Sequence, residues 1–244
     1  MKKLNLIIEE LPYAAEEALN RLRVNIKFCG KNTKKILVTS STPDEGKSTV
    51  SSHLWKMLAE AGFPTVYVDC DLRKSVVKNR YNISGIDSGI DYFLSGQAEY
   101  EDIVYETNYE NGYWVPVLNN LENPSALLED PRMKELLDHL SEDFRFVIID
   151  TPPLALVSDG ALLASLSDGA ILVIRCGETP KSVIRQSLQQ IQRVNCPLLG
   201  TVLNHGEVAG GAYGKRYSKY GEYYYYGEGS KNKKKKTGNN IFQK

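Results

Sequence analysis

The chain has 244 residues, 42% of them hydrophobic and 25% charged, with 30 Lys and Arg balancing 30 Asp and Glu. That mix supports a sizeable core and argues against global disorder, while the absence of net positive charge gives nucleic-acid binding no support. No apolar run approaches the roughly 18–20 residues of a membrane span. Residues 1–10 hold too short an apolar stretch for a signal peptide. Cys29, Cys70, Cys176 and Cys196 lack the spacing of a zinc site or a disulfide framework, so a soluble protein of a reducing compartment is expected. Charge is uneven along the chain: nine basic and three acidic residues from His205 onward leave +6 there and −6 before it.

Taken in chain order, a helical pattern over Tyr13–Phe28 comes first. An apolar run at 35–39 follows, then a helix over 47–61 and a run at 65–69. A third run at 113–118 contains Pro116, which marks it as a weak or edge strand. Helix 130–141, run 146–150, helix 158–166, run 170–174, helix 181–194 and run 198–203 complete the pattern. Nearly continuous aliphatic runs alternating with amphipathic stretches read as an α/β fold: a doubly wound, mostly parallel sheet with helices on both faces. From Gly206 the aliphatics nearly vanish, so residues 1–205 are expected to be one domain and 206–244 a flexible tyrosine- and lysine-rich tail.

Ser41, Thr42, Pro43, Asp44, Glu45, Gly46, Lys47, Ser48 and Thr49 follow a predicted strand and open a helix, the context of a phosphate-binding loop. Backbone N–H groups at the helix start can point at phosphates there. Lys47 would reach the β- and γ-phosphates and the Ser48 hydroxyl would ligate Mg²⁺. Ser41 stands where the usual pattern has its first Gly. Two further predicted strands end in carboxylates, Asp69 and Asp71 on one and Asp150 on another. Ligands of open α/β sheets bind outside the carboxyl ends of the strands, so the three loops can converge. Lone Asp residues at strand ends often cap a turn, but three accompanying such a loop point to a nucleotide. His53, His139 and His205 lack partners that would suggest catalysis.

The loop 41–49, the turn from Asp69 through Asp71 to Arg73, and the Asp150 to Pro153 turn resemble the Walker A, A′ and B motifs of bacterial tyrosine kinases. These are autokinases of capsule and exopolysaccharide systems. The likeness extends through residues 123–128 and 200–204 into the tail. Asp44 departs from the family loop, where a Gly is usual, although Asp tolerates positive φ better than most residues. The family's ring-forming Glu-x-x-Arg-x-x-Arg helix is matched by Glu17 and Arg23, with Asn20 in the middle position. What the resemblance implies is a P-loop kinase domain, related in scaffold to partitioning ATPases, that uses ATP and Mg²⁺. Lys47, Asp69, Asp71 and Asp150 would be catalytic, Asp69 as the base, with Ser48, Asp71 and Asp150 around the metal and Asn204 near the adenine. It also implies a homo-oligomeric ring, a cognate tyrosine phosphatase, and a membrane adaptor of the polysaccharide chain-length type that recruits a cytoplasmic kinase to the inner membrane face.

Seven of the 15 tyrosines lie in the tail: Tyr213, Tyr217, Tyr220, Tyr223, Tyr224, Tyr225 and Tyr226. Aromatics interleaved with basic residues can bind single-stranded nucleic acid. These have no aliphatic companions and sit among Gly, Glu and Lys, as phospho-acceptors on a flexible segment would. The rival reading is an ATPase switch of the partitioning or septum-positioning kind. Those proteins carry a Lys where this chain has Thr42, and they lack a tyrosine cluster.

Overall fold

The computed structural model describes residues 2–206. Among the described residues eight strands form one sheet: β1 (Lys3–Leu4), β2 (Lys35–Ser40), β3 (Thr65–Asp69), β4 (Tyr105–Thr107), β5 (Gly112–Val115), β6 (Phe146–Asp150), β7 (Gly169–Arg175) and β8 (Leu198–Asn204), in the order β1-β4-β5-β3-β6-β2-β7-β8. All neighbours are parallel except β4 and β5. The helices are α1 (Tyr13–Phe28), α2 (Lys47–Glu60), α3 (Val77–Arg80), α4 (Ile90–Leu94), α5 (Tyr100–Ile103), α6 (Ser125–Leu128), α7 (Pro131–Asp143), α8 (Asp159–Ser165) and α9 (Lys181–Arg193). Among the described residues no helix is long and apolar enough to cross a membrane.

Both faces of the central strands are buried, which is why they read as unbroken apolar runs. Along β6, Phe146 and Ile148 enter one core with Leu54, Trp55 and Leu58 of α2 and Leu19 and Ile26 of α1. Val147 and Ile149 enter the other, with Leu136, Leu137 and Leu140 of α7 and Leu163 of α8. Adjacent strands β2 and β6 thus send their following helices to opposite faces, which opens a crevice at their carboxyl ends.

The five longest helices and five of the six principal strands match the sequence pattern to within about two residues, the ordinary scatter of element ends, while the run at 113–118 ends three residues early, at Val115. One expectation is corrected. The run at 113–118 is not an edge strand: β5 pairs with both β3 and β4. Pro116 is tolerated because the strand stops at Val115, and the Pro116 carbonyl instead accepts the Ile90 N–H at 2.8 Å. The true edges are β1 and β8, and β1 and β4 are too short to leave a periodic signal.

Candidate active site

Strand register brings the acidic residues together. Asp69 and Asp150 are direct partners on β3 and β6, and Val38 of β2 is opposite Asp150 on its other side. The loop 41–46 leaves β2 at the same end of the sheet and enters α2 at Gly46. Gly46 has φ +88, and a Cβ there would meet Asn204 Nδ2 at 2.0 Å, so a larger residue would strain the backbone and displace the Asn204 amide. That amide donates to the Glu45 carbonyl at 2.9 Å, which seats Asn204, the last residue of β8, directly on the loop. Asp44 takes φ 61, the left-handed conformation that Asp accepts with little strain.

Glu45 folds inward. Its buried carboxylate accepts the Thr42 N–H at 2.8 Å and the Arg175 N–H at 3.3 Å, and it also receives the Thr179 hydroxyl. The loop is therefore fixed to the turn after β7 from within. Ser41 is fully buried and its hydroxyl has no partner among the described residues, while Thr49 accepts from Arg80 Nη1 at 2.9 Å.

Lys47 Nζ stands 3.3 Å from both Asp71 Oδ2 and Ser48 Oγ. Burial pulls its pKa down, but the carboxylates of Asp150, Asp71 and Asp69 outweigh this and hold it above the ordinary value. Asp69, 1% exposed, is pushed up to about 8 by burial first and by the neighbouring Asp150 second. The Ser75 hydroxyl on Oδ2 and the Asp71 N–H on Oδ1, at 3.2 Å, partly offset that rise. Asp150 is fully buried. Its Oδ2 accepts the Tyr67 hydroxyl at 2.8 Å, and its Oδ1 has no partner among the described residues. Tyr67 is held there by its ring, stacked on Trp114 at 3.8 Å, and burial keeps its phenol well above its usual pKa.

An unpartnered buried carboxylate oxygen is costly unless something completes it. The oxygen set here, Asp150 Oδ1 with the Ser48 hydroxyl and Asp71, suits Mg²⁺, which prefers hard oxygen donors and retains waters. Among the described residues no three His, Cys, Asp or Glu side chains form a metal-binding group, so such an ion would draw its other ligands from hydroxyl, water and phosphate.

Arg73 does not face this crevice as a free cation. Its guanidinium grips Asp159 at 2.7 and 3.2 Å and donates to Ser125 Oγ at 2.9 Å, while Ser125 itself donates to Asp159 at 2.9 Å. The loop after β3, the first residue of α8 and α6 are thereby joined, which gives the 123–128 stretch its structural reason. The Asp159 side chain is 1% exposed. Arg73→Ala strands that carboxylate, and unfolding should become easier by about 3 kcal/mol, the low end for a buried pair because the guanidinium is partly exposed. A denaturant melt checks this; a loss below about 1 kcal/mol means the pair is dispensable.

Glu17 and Arg23 lie half-buried on α1, and Arg23 donates twice to Asn20 Oδ1, at 3.0 and 2.8 Å. Both line a cavity of about 320 Å³ with Met57 and Glu60 of α2. His53 is a structural pin, its ring nitrogens against the Thr49 and Glu9 carbonyls at 2.7 and 3.0 Å. The seven tail tyrosines fall outside the described residues. Glu45, Tyr67, Ser75, Ser125 and Asp159 are supporting residues whose roles sequence reasoning missed. Glu45 lies inside the loop motif, Ser125 lies in the 123–128 stretch and Ser75 is six residues from Asp69, whereas Tyr67 and Asp159 are more than 80 residues from the groups they hold.

An AAA domain family profile matches residues 33–199. The tyrosine-protein kinase CpsD of Streptococcus agalactiae is 36% identical over 224 residues, covering 91% of this chain and 97% of its own. The tyrosine-protein kinase YwqD of Bacillus subtilis is 32% identical over 216 residues, 86% of each. Among solved structures, the kinase domain of the Escherichia coli tyrosine kinase ETK superposes with a TM-score of 0.76 at 30% identity, covering 82% of this chain and 79% of that domain. The septum site-determining protein MinD of Pyrococcus horikoshii, at 23% identity and a TM-score of 0.62, shares the fold. With relatives this similar over nearly their whole length, and the motif residues assembled at one end of the sheet, the chain belongs to the bacterial tyrosine kinases and is a protein-tyrosine kinase.

Proposed function

We propose that this kinase moves the γ-phosphoryl group of ATP to the tail tyrosines 213–226 of a neighbouring copy, and so regulates capsular or exopolysaccharide synthesis and export. The observation that carries the reading is the cluster of Lys47, Asp69, Asp71 and Asp150 with one buried carboxylate oxygen left for a cation. Bound ATP and Mg²⁺ supply the phosphoryl group and neutralise charge on its oxygens, so the protein's share is positioning and electrostatics. Lys47 and the loop N–H groups hold the phosphates; Ser48, Asp71 and Asp150 hold the metal. Asp69 accepts the phenolic proton as the tyrosine oxygen bonds to the γ-phosphorus and the bridging P–O bond to ADP breaks. Asn204, seated on the loop, is at hand for the nucleotide base.

The supporting setting is a ring built through Glu17 and Arg23, a membrane adaptor of the chain-length type that recruits the kinase to the inner membrane face, and a cognate phosphatase that resets the tail. The test mixes a full-length Lys47→Met chain with a chain lacking residues 213–226. Phosphotyrosine on the first chain is expected. With both chains folded and the adaptor's activating segment present, no transfer means the tail is modified only in its own subunit.

A further inference from the structure

Of the two oxygens of Asp150, one is engaged and one is open. Oδ2 accepts the Tyr67 hydroxyl at 2.8 Å, while Oδ1 meets no donor among the described residues. Strand register produces the arrangement. Tyr67 of β3 is opposite Ile148 of β6, and Asp150, two residues further along β6, returns to the same face of the sheet. The phenol cannot swing away. It is fully buried with its ring stacked on Trp114, and Trp114 stands edge-on to Trp55 at 5.0 Å and to Tyr81 at 6.1 Å. Ser51 Oγ of α2 closes on the same hydroxyl at 3.4 Å. A position between Val66 and Val68, in a strand buried on both faces, ordinarily suits an aliphatic residue. Tyrosine there brings a hydroxyl into the core and aims it at Asp150.

We propose that Tyr67 is a positioning residue that holds Asp150 to coordination through one oxygen, and so makes the site favour Mg²⁺ over Ca²⁺. This rests on the reading of Asp150 as a metal ligand and says how that ligand is controlled. Mg²⁺ demands a tight octahedron and keeps several waters, so a single carboxylate oxygen suits it. Ca²⁺ accepts about six to eight oxygens in looser geometry and often takes both oxygens of one carboxylate. With Oδ2 engaged by Tyr67, that second mode is closed. Removing the hydroxyl frees Oδ2, lets the carboxylate turn about its Cβ–Cγ bond, and opens the mode that Ca²⁺ uses.

The experiment measures ADP affinity by calorimetry in EDTA, in Mg²⁺ and in Ca²⁺, for the full-length parent, Tyr67→Phe, Asp150→Asn and the double variant. Tyr105→Phe is the control, since among the described residues its buried hydroxyl bonds only backbone groups of Asp87 and Ser88. Chelation of metal by free ADP is common to every chain and cancels between them. In Tyr67→Phe the ring can stay on Trp114 and only the donor goes. The tightening of ADP by Mg²⁺ should then fall about tenfold, the low end for losing a hydrogen bond behind a metal ligand. Tightening by Ca²⁺ should hold or increase, and affinity in EDTA should match the parent, as should all three values in Tyr105→Phe. In the Asp150→Asn background the Tyr67 substitution should change nothing further. That double variant has no buried carboxylate at position 150 to strand, so it gives the answer where Tyr67→Phe alone fails to fold. An unchanged ratio of Mg²⁺ to Ca²⁺ tightening in Tyr67→Phe, an equal loss in EDTA, or a further loss in the double variant overturns the role given to Tyr67. Asp150→Asn that binds ADP with Mg²⁺ as tightly as the parent overturns instead the placing of Asp150 at the metal, and the inference with it.

Discussion

Replacing Lys47 with Met should cut phosphotyrosine formation by at least ~10²–10³-fold, the scale of removing a preorganised charge from a transferring group, while the chain stays folded. Nζ stands among Asp69, Asp71 and Asp150 and packs in neither core. Its removal therefore takes away charge and little apolar contact. The three carboxylates do lose their cation, but in protein free of nucleotide and metal Asp69, with a pKa near 8, relieves the crowding by staying protonated at neutral pH. The melting temperature should move by no more than about 2–4 °C, equivalent to ~1 kcal/mol in a chain of this size. Labelled ATP followed by phosphoamino-acid analysis, beside a circular-dichroism melt, measures both. Near-normal phosphotyrosine from a folded Lys47→Met protein removes the phosphate-loop assignment.

The parts of this site that sequence revealed are those encoded locally. A loop that leaves an apolar run and opens a helix is recognisable because its backbone geometry needs Gly46 and its charge needs Lys47, all within a few residues. Asp69 and Asp150 were legible as strand ends, and parallel register then made them neighbours without any local signal linking the two. The supporting residues were illegible for the converse reason. Tyr67 reaches Asp150 across 83 positions and Arg73 reaches Asp159 across 86. Tyr67 reads locally as a core aromatic, and Arg73, though it closes a motif turn, has nothing near it in sequence that names Asp159 as its partner. Pro116 shows a local rule over-applied: it marked a strand as peripheral when it marked only where a central strand stops.

Asp69→Asn should lower the rate of transfer by about 10²–10⁴-fold, the usual contribution of a positioned general base, with ATP affinity close to that of the parent. The substitution is nearly isosteric. Its amide oxygen can still accept the Asp71 N–H, and its amide nitrogen can donate to the Ser75 oxygen, so the turn after β3 keeps its shape. What goes is the capacity to take a proton. The charge change also carries a signature in stability that separates it from simple damage. Asp69 has an ordinary value of 3.8 and is raised to about 8 in the folded protein, so the fold prefers it protonated. The parent must therefore lose stability as pH rises from about 4 to about 8, and that contribution is absent from the variant. In protein free of nucleotide and metal, the variant's advantage in melting temperature should grow across this window and level off above it. Nucleotide affinity by calorimetry, single-turnover transfer and melts at several pH values complete the test. Equal loss of ATP binding and transfer would move Asp69 from the base position into the metal's shell, and a flat difference in melting temperature would mean its carboxylate is already ionised at pH 4.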